Sequence, residues 1–160
     1  MRKVIDKILE RLLVALLSIL VLDVLWQVAS RYLLSSPSNF TDELAGFLLI
    51  WVTLLGAAYA TGKKQHLALS LLSTKLSFET NKKLNLLIYG ITIVFVVAVM
   101  IVGGIWLIYT RFHLGQISAV LQIPIGYVYM ILPLSGLFII YFSIDNAIDE
   151  YNSKQLYKEL

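Results

Sequence analysis

The chain has 160 residues, of which 59% are hydrophobic and only 14% charged, with a net charge of +3 and no cysteine. A soluble domain of ordinary composition carries about 25% charged residues, so this chain is expected to be one compact unit whose solvent is lipid. The absent cysteines exclude disulfides and thiolate metal sites, and the basic residues build no single polar face of the kind that nucleic acid requires.

A helix needs about 20 apolar residues to cross roughly 30 Å of hydrocarbon. The first segment of that length runs over about residues 12–34, interrupted by Asp23, Gln27 and Arg31. Its basic start and the run LLVALLSILVL look like a signal peptide, but no A-x-A-like cleavage site follows and the apolar character continues to Leu34. It is therefore read as a retained helix. A bare carboxylate at the middle of a span costs about 2.5–3.5 kcal/mol. Asp23, Gln27 and Arg31 follow one another at i, i+4 and i+8 and so share one helical face. Arg31 can snorkel toward water and Asp23 cannot do so as readily, so this face is expected to look at protein.

The second apolar segment covers about residues 44–61, with Asp42 and Glu43 before it and Lys63, Lys64 and His66 after it. These two ends lie a bilayer apart and cannot form one catalytic site. Thr41 or Asp42 is expected to cap the helix, with Asp42 and Glu43 complementing its dipole. The connection that follows, KKQHLALSLLSTKLSFETNKK, is too polar to cross and too apolar to float. Leu67, Leu71, Leu72, Leu76 and Phe78 fall on one half of a helical wheel, which suits an amphipathic helix over 66–78 lying in the interface, its flanking lysines reaching anionic headgroups.

The third segment covers about residues 84–109 and the fourth about 124–144. Between them, RFHLGQISAVLQIP has too few charges for a solvated loop and is expected to pack against protein or dip into the interface; Pro124 suits the first turn of the last helix. Trp106, Tyr127 and Tyr129 are belt or packing residues, whereas Trp51 is read as packing. None of the four segments alternates apolar and polar residues, so they are read as helices and not as barrel strands. The flanks orient them. Arg2, Lys3, Lys7, Arg11, Lys63, Lys64, Lys75, Lys82, Lys83, Lys154 and Lys158 stand on one side, against Arg31 and Arg111 on the other. This bias places both termini in the cytoplasm.

Catalytic patterns are missing. The two histidines, His66 and His113, fall on opposite sides, and there is no P-loop or nucleophile elbow. No inverted repeat or Gly/Pro-broken helix pair offers a midplane substrate site. Gly56, Ala60, Gly103 and Gly104 fit close helix packing. The residues thus describe an all-α membrane protein of four transmembrane helices and one interfacial helix, without enzymatic activity or cofactor, whose costly polar groups seek partners.

The run from Arg31 to Leu72 resembles the small membrane subunit, of DctQ type, of tripartite ATP-independent periplasmic (TRAP) transporters. The resemblance rests on an arginine-aromatic pair after the first helix, on Phe40, Asp42 and Glu43, on Trp51, on Leu55 to Ala58, and on Lys63, Lys64 and His66. A second block is similar through Gly115, Gln116, Ser118, Pro124, Pro133 and Gly136. Phe40 stands where the family often has tryptophan, and Ser70 where it often has an acidic residue. The resemblance implies a scaffold subunit in the inner membrane that packs on a large membrane subunit. Together they take up organic acid anions, of sialic acid or C4-dicarboxylate type, with a sodium gradient and a periplasmic binding protein. It places Asp23, Gln27 and Arg31 at the large-subunit interface. Arg31, Phe40, Asp42, Glu43, Gln116 and Ser118 become outer-face contacts, and Lys63, Lys64 and His66 anchors of the interfacial helix. The competing expectation is a stand-alone ion channel or carrier that uses Asp23.

Overall fold

The computed structural model describes residues 2–33, 38–63 and 78–156. The interfacial helix expected over 66–78, with Lys64 and His66, lies outside these residues apart from Phe78. Among the described residues there are four helices long and apolar enough to cross a membrane, and no strand beyond one isolated bridge between Ile117 and Pro124. In lipid, every backbone polar group must be satisfied within its own segment, and a helix does this by itself.

Helix α1 (Arg2–Leu33) contains neither glycine nor proline and starts ten residues before the apolar segment that it carries. Helix α2 (Asn39–Gly62) stops at Lys63, whose N–H donates to the Tyr59 carbonyl at 3.0 Å. The third crossing is continuous but not uniform. It consists of α3 (Phe78–Phe95), a π-helical stretch of eight residues (Val96–Gly103) and α4 (Gly104–His113). The π stretch, VVAVMIVG, is rich in β-branched residues, which lose side-chain freedom in a tight α-turn.

The fourth crossing is broken near its start. A short helix α5 (Ile125–Tyr129) ends at Met130, and α6 (Ile131–Leu156) follows. Pro133 explains the break: it has no N–H to give, so a single helix through it would lose a bond at Tyr129. Restarting at Ile131 puts Pro133 in a first turn, where no donor is needed. Pro124 precedes α5 as its cap residue in extended geometry and is not the first helical residue that the sequence suggested.

The helices form a layer in the order α1, α2, α6, α3, with the π stretch and α4 continuing the last. One core cluster joins Leu9 of α1, Leu55 of α2 and Ile131 and Phe142 of α6. A second joins Ala58, Val96, Met100 and Ile139. Close backbone approach occurs where α4 meets α6: a Cβ at Gly104 would lie 3.1 Å from Leu132 Cβ and 3.2 Å from Pro133 Cδ. At Gly56 a Cβ would meet nothing within 4 Å, and at Gly103 only its own helix, so the expected close packing at those two glycines is not found. α1 and α3 take the two flanks of the layer, and their outward sides are exposed rows of Val, Leu and Ile.

Candidate functional site: polar clusters at both ends of the helical layer

Polar contacts concentrate at the two ends of the layer. At one end a compact hairpin follows α4. Gly115 takes a positive φ of 58°, the conformation that glycine allows at least cost. The Ser118 N–H donates to the Ile123 carbonyl at 2.9 Å, the Ile125 N–H donates to the Gln116 carbonyl at 3.0 Å, and the buried Ser118 hydroxyl accepts the Ile123 N–H. Arg111 donates to the Gln116 side chain and lies over the Tyr129 ring.

Glu43 closes this hairpin. Its carboxylate accepts three consecutive backbone N–H groups, from Ala119 and Val120 at 3.0 Å and from Leu121 at 2.7 Å. Successive amides turned toward one point make an anion cradle. Here the anion is a side chain of the same chain, so α2 and the hairpin are locked together. The neighbouring Asp42 faces another way and accepts the Gln27 Nε2–H at 2.9 Å, tying α2 to α1. Neither Thr41 nor Asp42 caps α2, contrary to the sequence expectation. The cap position falls at Ser38, and the Thr41 hydroxyl donates back to the Ser38 carbonyl at 2.8 Å. Deeper in, the Trp51 indole N–H donates to the Val128 carbonyl at 3.1 Å, as a packing residue with a satisfied donor.

Of the first helix's polar face, Asp23 is buried and one of its carboxylate oxygens has no donor among the described residues. Gln27 is committed to Asp42, while Arg31 and Phe40 are exposed. Trp106 and Tyr127 are also exposed, where belt residues would sit, and His113 stacks on Tyr109. No group of three or more His, Asp or Glu among the described residues suits a metal ion.

The opposite end carries a cluster that sequence reasoning missed. Arg2 donates to Asp145 at 2.5 Å, to Asn146 at 2.8 Å and to the Gly62 carbonyl at 2.6 Å, and pairs with Asp149 at 3.3 Å. Asn146, fully buried, donates in turn to the Thr61 carbonyl at 2.9 Å. One guanidinium thus joins the ends of α1, α2 and α6 and satisfies the Gly62 carbonyl at the end of α2, while Asn146 takes that of Thr61. Lys63 lies 3.9 Å from Asp6 and over the Tyr59 ring. Buried Lys82 donates to the Tyr151 carbonyl at 2.8 Å, joining α3 to α6. In the sequence Arg2 is one of several cations before an apolar run, and Asn146 lies beyond the apolar segment; nothing local marks their meeting.

Residues 20–152 match the family described as tripartite ATP-independent periplasmic transporters, DctQ component. The chain is 31% identical over 103 residues to the sialic acid TRAP transporter small permease protein SiaQ of Vibrio cholerae, covering 64% of this chain and 60% of that protein. It is 25% identical over 143 residues to a putative TRAP transporter small permease protein of Haemophilus influenzae, covering 84% of this chain and 82% of that protein. Four helices able to cross a membrane, among the described residues, agree with an inner-membrane, multi-pass protein, and the family is one of transporter components and not of enzymes. The chain belongs to the DctQ family of TRAP transporter small permease subunits.

Proposed function

We propose that the chain is the scaffold of a sodium-coupled secondary transporter for organic acid anions. It packs on a large membrane subunit and helps to dock a periplasmic binding protein. The observation that carries this reading is the open layer: α1 and α3 stand on opposite flanks, and the polar contacts sit at the two ends. Such an arrangement offers outward faces to another polypeptide and, among the described residues, no route of its own for an anion. The hairpin, with Gln116 and buried Ser118 shaping it and Glu43 holding it, is the outer face, and Asp42 ties α1 to α2 beside it. Arg31 and Phe40 are exposed beside α2's start for direct contacts. Gln27 is spent on Asp42 within the chain, and Asp23 keeps its assignment to the large-subunit interface, its free oxygen taking a donor from that subunit. Lys63, with Lys64 and His66, anchors the opposite, cytoplasmic edge. The name of the Vibrio relative favours a sialic acid among the organic acids.

Reconstitution in liposomes tests the reading. Sodium-driven uptake is expected only when the large subunit and the binding protein are both present; uptake by this chain alone would overturn it in favour of a carrier using Asp23. Asp23→Leu is expected to weaken copurification with the large subunit by about 1–3 kcal/mol, since the donor left behind would be buried and unpaired. Unchanged copurification removes Asp23 from the interface.

A further inference from the structure

The cations at the Arg2 end divide into two kinds. Arg2 and Lys82 turn inward and hold helices together, and Lys63, itself exposed, pairs with Asp6 at 3.9 Å. Lys3, Lys7 and Arg11 are exposed and have no ion-pair partner among the described residues. Positions i, i+4 and i+8 advance about 40° per step around a helix and rise about 12 Å in all. The three charges therefore form one narrow stripe along α1. Leu9, 1% exposed, lies on the opposite side, in the core with Leu55 and Phe142. With Leu9 seated there and Arg2 bound to α2 and α6, the stripe is fixed pointing away from the rest of the described residues.

Aliphatic residues run beside these charges. Val4 and Ile8 are 61% and 58% exposed, Leu12 follows at 40%, and the same side of α1 continues through Val14, Val21, Leu22 and Leu25. An anionic phospholipid matches this sequence of surfaces: its phosphate meets the cations, and its acyl chains lie on the aliphatic column above them. An acidic protein surface would match the charges but not the column. Two carboxylates flank the stripe, Asp6 at i+3 from Lys3 and Glu10 at i+3 from Lys7; Asp6 pairs with Lys63, and Glu10 forms no ion pair among the described residues.

We propose that Lys3, Lys7 and Arg11 of α1 form a binding site for anionic phospholipid headgroups. Long cationic side chains near a membrane boundary attract such lipids with an energy that adds per charge. The site is independent of the scaffold reading, because it needs only this chain and lipid.

The test is native mass spectrometry of the full chain in detergent, titrated with phosphatidylglycerol and with phosphatidylcholine of the same acyl composition. The wild type is expected to retain phosphatidylglycerol preferentially. In Lys3→Gln/Lys7→Gln/Arg11→Gln that retention is expected to fall by roughly fivefold for each charge removed, with phosphatidylcholine retention unchanged. The charge-keeping variant Lys3→Arg/Lys7→Arg/Arg11→Lys is expected to behave as the wild type. Equal loss of both lipids, or undiminished phosphatidylglycerol in the triple glutamine variant, would overturn the proposal. Normal phosphatidylglycerol retention with lost binding to the large subunit would overturn it too, assigning the stripe to an acidic protein surface.

Discussion

Asp42 and Glu43 are adjacent, carry the same charge, and do different work. Asp42 receives a hydrogen bond from Gln27 on α1, and Glu43 receives three from the hairpin that follows α4. The sequence marks both as important and assigns them to the start of their own helix, because local rules know only local partners. Glu43's partners lie 76 to 78 positions away, beyond the reach of any capping pattern. Replacing Glu43 by Gln keeps the length of the side chain, removes the charge and replaces one acceptor oxygen with a donor facing donors. The amides of Ala119, Val120 and Leu121 are then expected to exchange with deuterium faster, while those of the Ser118–Ile123 pairing change less. Equal exchange in the variant and the wild type would show that the hairpin holds itself and that Glu43 only decorates it.

The four crossings were legible as elements because an apolar run of spanning length admits few alternatives in lipid. Their internal irregularities were not. The π stretch from Val96 to Gly103 goes with its β-branched residues and the restart at Ile131 with Pro133. Hydropathy, which counts apolar residues and not their backbone demands, is blind to both. The same blindness affects glycines: Gly56 and Gly104 read alike in sequence, yet one faces open space and the other faces Leu132 and Pro133. Gly104→Leu is therefore expected to destabilise the chain by about 1–3 kcal/mol through overpacking, seen as a lower midpoint of thermal unfolding in detergent. Gly56→Leu, with nothing to collide with in this chain, is expected to stay within about 0.5 kcal/mol. Equal effects at the two sites would mean that the α4–α6 approach is looser than these contacts describe. The helix ends were the other illegible part. α1 runs ten residues before its apolar segment, held by the Arg2 contacts rather than by its own hydropathy.

At the scale of the molecule, the layer is stitched at both ends and apolar between them, and its two ends are chemically unlike. The hairpin end ties Glu43 to backbone amides and has Arg31 and Arg111 as its cations, while the Arg2 end gathers Arg2, Lys3, Lys7, Arg11, Lys63, Lys82 and Lys83. Basic residues near helix ends resist translocation, so the Arg2 end is expected to face the cytoplasm and the hairpin the periplasm. The sequence contains no cysteine, which makes this directly measurable. Ala119 on the hairpin and Glu10 on α1 are both exposed, so a single cysteine at either should be reachable by reagent on its own side. With a membrane-impermeant maleimide on spheroplasts, Ala119→Cys is expected to label in intact cells and Glu10→Cys only after permeabilisation. The reverse pattern would invert the chain, move the hairpin away from any periplasmic binding protein, and leave the docking role to the end now assigned to the cytoplasm. Labelling of both sites in intact cells would instead mean that the layer does not span the membrane as the four apolar segments require.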